Sequence, residues 1–271
     1  MLGTLKIRAS ELGALAGASE RIDAVQAAEQ VWQRALPVRF DNYIARHGHP
    51  QWHKDRPILE FHRKVLCSFP ASLGKEEGDR QVDLSYSLGN PRPVPRLLTL
   101  SEQASEYLEK IKEPAIRDQL RCETMMELGR ALEDAAILQW EKDGERRVLT
   151  RECSFMLPLA LGSSHPLANV LRVVISGRAD GVCDDDSIYE GKIRWKSLRS
   201  ELPDHEYAQV QAYLHGLGKE NAHFVQTSRC LLYQSSLTVA RDTDYFQALV
   251  GRAVDNLFSE RFAPFHSVYY N

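Results

Sequence analysis

Asp180, Glu190 and Lys192 are the residues of this 271-residue chain whose types and spacing best suit a reaction centre. Asp180 closes the run Ser176-Gly177-Arg178-Ala179-Asp180. After Gly181-Val182 and the acidic turn Asp184-Asp185-Asp186 comes Ile188-Tyr189-Glu190-Gly191-Lys192-Ile193. Both flanking runs have strand texture, so Glu190 and Lys192, two apart, leave one face. A hairpin between the strands brings the two carboxylates together with the lysine beside them. Two carboxylates at one spot repel unless a cation neutralises them, and Mg²⁺ is the natural occupant of an all-oxygen site. Such an ion polarises a phosphoryl oxygen and activates water, while a lysine can hold or deprotonate that water. Taken alone, the pattern also fits an ordinary Asp-Gly turn beside a solvated strand edge. Against that, Ile188, Ile193 and Trp195 mark a strand that leans toward burial, an odd place for unpaired charge.

Two helical patterns could supply further groups. Gly129 and Glu133 are four apart, so Gly129 allows close approach while Glu133 projects as another metal carboxylate. By itself Glu133 reads equally as an exposed helix residue beside Asp134. In His205-Glu206-Tyr207-Ala208-Gln209-Val210-Gln211-Ala212-Tyr213, Gln209 and Tyr213 also share a face, suited to a phosphate or water, with Tyr213 free to pack a sugar or base. A half-buried amphipathic helix has the same look.

Gly-x-x-x-Glu on a helix, then Asp-Gly, Glu-x-Lys and Gln-x-x-x-Tyr, in this order, resembles the PD-(D/E)XK nuclease superfamily. Within it, Tyr207-Ala208-Gln209-Val210-Gln211 and Arg8-Ala9-Ser10-Glu11 resemble the phage lambda exonuclease (YqaJ-like, RecB-like) branch. The match covers residues 5–15 and about 120–230, and Ala179 stands where a proline usually precedes the motif aspartate. The resemblance implies a restriction-endonuclease-like α/β (α+β) fold, with a central mixed sheet flanked by helices. It implies that Asp180, Glu190 and the Gly191 carbonyl bind one or two Mg²⁺ or Mn²⁺ ions, with Glu133 reaching a second metal position. Lys192 would orient or activate the attacking water, and Gln209 would assist at the nucleophile. Arg8 and Ser10 fall where such enzymes approach the terminal phosphate of DNA. One branch of the superfamily carries an iron–sulfur cluster on one early and three late cysteines. With no cysteine after Cys230, none is expected here.

The stretch after the motif is a separate physical argument for nucleic acid. Lys192, Arg194, Lys196 and Arg199 place four cations around Trp195 with no acid among them. Cations neutralise backbone phosphates, and an aromatic ring stacks on an unpaired base. The expectation is a metal-dependent DNA nuclease of the lambda exonuclease type, acting at linear ends and leaving 5′-phosphates. The alternatives are an endonuclease or RNA-cutting relative with the same site, or a catalytically silent nucleic-acid-binding or assembly protein on the same fold. A homo-oligomer or a recombination partner protein is a further expectation.

The elements that must position these groups follow from periodicity. Helical spacing runs from Ser10, a plausible N-cap, to about Leu36, then over Ser101–Lys112 and Ile116–Trp140. Strand texture marks Val148–Leu157, Val170–Ala179, Ser187–Ile193, Ala222–Thr227 and Cys230–Val239. Asp204–Leu217 and Thr243–Phe262 read as helices. The expected organisation is a single domain over 1–271, with a mainly helical part over 1–145 and a catalytic sheet core over 146–271. Residues 40–115, including the alternating prolines of Asn90-Pro91-Arg92-Pro93-Val94-Pro95, look like an insertion. Apolar content of 43% and charged content of 26% are those of a globular protein. No membrane-length apolar run or secretory leader is visible, so an intracellular, non-secreted protein is expected. The five cysteines form no C-x-x-C pair, which fits reduced thiols. The formal charge of −3 disfavours a broadly basic DNA surface, leaving a local one.

Overall fold

The computed structural model describes residues 3–19, 22–36, 129, 132–144, 146–161, 167–168, 171–194, 197–228, 231, 233–262 and 265. The chain opens with β1 (Gly3–Arg8), α1 (Ala9–Leu15) and α2 (Ala24–Ala35), followed by α3 (132–144), β2 (Val148–Leu159), β3 (Leu171–Cys183) and β4 (Ile188–Arg194). It continues with α4 (Asp204–Leu217), β5 (Asn221–Ser228), β6 (Gln234–Ala240), α5 (Thr243–Leu257) and a 3-10 turn over Glu260–Phe262. The expected insertion at 40–115, the Ser101–Lys112 helix and the first half of the Ile116–Trp140 helix lie outside the described residues.

The six strands form one mixed sheet in the order β1-β3-β4-β5-β6, with β2 also paired to β3. β1 runs parallel to β3, and β4 parallel to β5 across the α4 crossover; the remaining pairings are antiparallel. This is the α/β architecture of a central mixed sheet flanked by helices. One strand organises it. β2 occupies one edge of β3 along almost its whole length, so β1 and β4 must share the other. β1 takes Leu171 to Ser176, whereas β4 pairs only at Gly181 and Val182 before diverging to follow β5.

The larger core joins the two ends of the described chain. Leu5, Ile7, Leu12 and Leu15 pack with Trp32, Val210, Leu214, Phe224, Leu249 and Leu257, all fully buried. Each such aliphatic side chain contributes roughly 1.5–3 kcal/mol. The Trp32 indole donates to the Leu257 carbonyl at 2.9 Å, and the Asn256 amide donates to the Leu15 carbonyl at 2.8 Å. A smaller core of Ile137, Trp140, Cys183, Tyr189 and Val225 seats α3 on the strands.

Three expectations about elements change. The helical run from Ser10 to Leu36 is two helices: Gly17 turns left-handed at φ +76°, and Asp23 starts α2 by accepting from the Gln26 N–H at 2.8 Å. Ser10 lies inside α1, whose N-cap is Arg8. The N-terminal part also contributes a strand that the sequence reading did not pick out, β1, which joins the sheet. Its signal is only Leu5 and Ile7 alternating with Thr4 and Lys6, too short to stand out by period. Finally, β6 begins at Gln234. Before it, the Ser228 N–H donates to the Tyr233 carbonyl, the Tyr233 N–H donates to the Ser228 hydroxyl, and Leu231 adopts φ +55°. Among the described residues Cys153 and Cys183 are free thiols, and no helix is long and apolar enough to cross a membrane.

Candidate active site

The site forms where β3 and β4 part. Their ladder ends at Gly181 opposite Tyr189. One further step of the same register would set Asp180 against Glu190. Instead the Asp180 side chain takes over the ladder's role, its Oδ2 accepting the Gly191 N–H at 2.8 Å. The next residues of β4 stay paired to β5 alone, with Glu190 opposite Phe224 and Lys192 opposite Gln226. Gly181 is required at the fork, since a Cβ there would stand 2.3 Å from Val148 Cγ1 and 2.8 Å from the Thr150 carbonyl.

Glu190 is 1% exposed. Its Oε1 accepts from Lys192 Nζ at 2.5 Å and from Gln209 Nε2 at 3.2 Å, whereas its Oε2 is buried with no hydrogen-bond partner among the described residues. Burial pushes the Glu190 carboxyl up to about 8; Lys192 opposes this, and the charges of Asp180 and Glu133 add to it. Burial likewise raises Asp180, against the pull of Lys192 and the Gly191 N–H. The half-buried Glu133 on α3 is raised by burial first, then by Asp180 and Asp134. For Lys192 burial works downward, but Glu190 and Asp180 outweigh it and hold the ammonium above its ordinary value. At neutral pH the lysine is therefore a cation that donates, not a free base.

Behind these groups α4 supplies a short relay. Gln209 Nε2 also donates to the Tyr213 hydroxyl at 2.5 Å, and Tyr213 packs edge-on to Phe155 with ring centroids 5.9 Å apart. Phe155 is seated by two glycines: a Cβ at Gly177 would lie 2.7 Å from its ring, and one at Gly216 2.1 Å. Two residues along, Gln211 faces elsewhere. Its amide donates to the Ala240 carbonyl and its oxygen accepts the Asp242 N–H, each at 2.8 Å, pinning the turn into α5. The Ala-Gln-Val-Gln run thus divides into one glutamine at the carboxylates and one that holds the scaffold.

The sequence-derived residues land unevenly. Asp180, Glu190, Gly191, Lys192, Gln209 and Tyr213 meet at the fork, and Glu133 lies within electrostatic reach of Asp180 and Glu190. A Cβ at Gly129 would meet nothing within 4 Å among the described residues. Arg194 points its charge inward: it forms a bidentate pair with Glu206 at 2.8 and 2.6 Å and donates to Gln226 at 2.8 Å. That pairing removes it from the set of open phosphate contacts. Arg199 is exposed, its backbone N–H and carbonyl both bound by the buried Gln226. Arg8 and Ser10 are exposed at the start of α1, the Arg8 N–H donating to Glu11, which is held in turn by Arg34. Trp195 and Lys196 lie outside the described residues.

Three residues at the site escaped the sequence reading. Tyr189, fully buried against Trp140 on α3, carries a hydroxyl with no hydrogen-bond partner among the described residues. Arg151 and Arg178 flank Asp180 in the β2–β3 ladder. Arg178 was findable, because it sits two before Asp180 on a strand; Arg151 required the β2 register.

A divalent cation is implied by the family resemblance, and the donor set can be tested against it. Among the described residues no three His, Cys, Asp or Glu side chains form a ready metal cage. What is present is a pair of carboxylates, one with an orphaned buried oxygen, both raised by burial, and Glu190 further by the charge of Asp180. Such a pair suits a hard cation that completes its shell with backbone oxygen and water.

No protein-family model matches the chain, and no curated protein matches it. Solved structures do match. The structure of SSO0001 is 19% identical, with a TM-score of 0.39 over 58% of this chain and 71% of that one. An alkaline exonuclease, LHK-Exo from Laribacter hongkongensis, is 16% identical, with a TM-score of 0.39 over 61% of this chain and 89% of that one. LHK-Exo in complex with dAMP gives 14% identity and a TM-score of 0.34, over 62% and 88%. At these values the likeness assigns no function.

Proposed function

We propose that this protein is a metal-dependent nuclease that hydrolyses DNA phosphodiesters, of the lambda exonuclease type, attacking linear ends and leaving 5′-phosphates. The observation that carries the reading is Glu190: a fully buried carboxylate with one orphaned oxygen, crowded by Asp180 and tied to a cationic lysine. Without a cation that carboxyl either keeps its charge at a cost or takes up a proton, and a divalent cation at Asp180 and Glu190 would relieve it. Asp180, Glu190 and Gly191, with Glu133 alongside, would hold Mg²⁺ or Mn²⁺, which supplies Lewis acidity toward a phosphoryl oxygen and toward water.

The chain's own groups have distinct tasks in this reading. Lys192, kept charged by Glu190, donates to water or to the scissile phosphate and offsets negative charge as the phosphorus centre becomes more crowded. Gln209 fixes the Glu190 carboxylate from the α4 side, and Tyr213 fixes Gln209. The Asp180 bond to the Gly191 N–H sets the spacing between the strands that carry the two carboxylates.

A second reading, a silent nucleic-acid-binding protein on the same fold, draws support from the lack of a three-residue cage among the described residues. End-labelled linear and closed circular DNA, incubated with Mg²⁺ or with chelator, separate the two. Mg²⁺-dependent loss of linear DNA alone, abolished by Lys192→Ala, is the expected result. Nicking of the circle replaces the exonuclease by an endonuclease. Absence of cleavage with Mg²⁺ and with Mn²⁺ leaves only the binding protein.

A further inference from the structure

With Arg194 committed to Glu206, two exposed cations beside Asp180 among the described residues, Arg151 and Arg178, lie on β2 and β3. Arg151 Nη1 lies 3.3 Å from Asp134 Oδ1, and Arg178 Nη1 lies 3.2 Å from Glu152 Oε1. All four side chains are open to solvent, from 38% to 65% exposed. Ion pairs this exposed contribute little, because water screens them. A phosphate oxygen can therefore replace either carboxylate at little cost, and a guanidinium accepts phosphate in a two-pronged geometry that one carboxylate contact leaves unused.

Their placement is specific. Arg151 stands opposite Gly181 in the ladder, and Arg178 opposite Ser154, so the two bracket Asp180 along β3. Both positive charges reach the Asp180 carboxyl. Between them the β2 backbone turns left-handed at Glu152, φ +54°. That conformation is unfavourable for a non-glycine residue. The strained residue is the one whose carboxylate pairs with Arg178.

We propose that Arg151 and Arg178 form a clamp for the nucleic-acid backbone, each exchanging its carboxylate, Asp134 or Glu152, for a phosphate on either side of the scissile bond. The clamp deepens the nuclease reading and rests on it: it gives the substrate's phosphates their protein contacts, where the basic run after Glu190 loses Arg194.

The test is equilibrium binding of a fluorescent blunt duplex, with Ca²⁺ present to neutralise the carboxylates, across a salt series from about 50 to 200 mM. Each phosphate neutralised contributes about 0.9 to the slope of log K against log salt. The Arg151→Gln/Arg178→Gln double variant should lose about 1.8 from that slope, and each single variant about half as much. Arg151→Lys/Arg178→Lys should keep the slope with weaker binding, since a point charge still releases the counterion but lacks the fork. Arg252→Gln on α5, exposed and unrelated to Asp180, should leave the slope unchanged. A double variant with the wild-type slope overturns the clamp and leaves the nuclease reading standing. A wild-type protein that binds neither this duplex nor single strands overturns the nuclease reading, and the clamp with it.

Discussion

Raising the pH of the metal-free protein should destabilise it, and Glu190→Gln should flatten that dependence. The Glu190 carboxyl moves from an ordinary 4.5 when unfolded to about 8 when folded. A carboxyl raised in this way lends stability that is fully present below about pH 4.5 and is lost as pH rises through about 8. The gap, at about 1.36 kcal/mol per pH unit, sets a ceiling of roughly 5 kcal/mol. Asp180 and Glu133 are raised too and add in the same direction. Glu206 and Asp185 are lowered, Asp185 to about 2, so their contributions are lost only as pH falls below the ordinary carboxylate range. His215, lowered by burial, works the other way over the histidine range, but metal-free stability should still be higher at about pH 5 than at pH 8. The assay is urea unfolding in EDTA, followed by far-ultraviolet circular dichroism, at about pH 5 and pH 8. With an m-value of about 3 kcal/mol/M, the wild-type midpoint should fall by about 1–1.5 M between the two. Glu190→Gln leaves Lys192 without its counter-charge, so the pH difference within each protein is compared, not absolute stability. Addition of Mn²⁺ at pH 8 should restore the wild-type midpoint and not that of the variant. A wild-type midpoint indifferent to pH, or a variant that falls as steeply as wild type, would refute the reasoning.

Three further outcomes are expected. Tyr189→Phe removes a buried hydroxyl with no partner and should stabilise the metal-free protein by about 1 kcal/mol, read from the urea midpoint; a loss of stability would mean that the hydroxyl is satisfied in solution. Gly216→Ala drives a methyl into the Phe155 ring and should cost about 1–3 kcal/mol, with Phe155→Leu in the same chain recovering part of the melting temperature. Arg194→Met leaves Glu206 buried without its cation and should cost about 3–5 kcal/mol while sparing the salt slope of DNA binding, whereas an undiminished melting temperature would show the pair to be dispensable.

Much of the candidate site's geometry could be read before the fold because it is local. Asp180, Glu190 and Lys192 lie within thirteen residues on adjoining strands, and period-two alternation already aims Glu190 and Lys192 to one side. Gln209 and Tyr213 were readable for the same reason at helical spacing, and α4 has the expected ends, Asp204 and Leu217. Arg194 shows the limit. Its neighbours in sequence made it one of four cations, and only the packing of α4 against β4 brings Glu206 within 2.6 Å of it.

The chain's own pattern thus determined which chemistry is available: two carboxylates and a lysine, two apart on one strand and across a turn, with a glutamine four residues before a tyrosine. Tertiary structure alone decided where each charge is spent. β1 joins the sheet beside β3 on the strength of two buried side chains, and with β2 filling the other edge, β4 can pair with β3 at only two positions. The opening beyond that pair gives Asp180 the Gly191 N–H, buries Glu190 with an orphaned oxygen, and brings Arg151 from a distant strand to the side of Asp180. Local periodicity records which way a side chain points. Which element lies beyond it depends on how edges are shared between strands far apart in sequence, and no window of the sequence contains that.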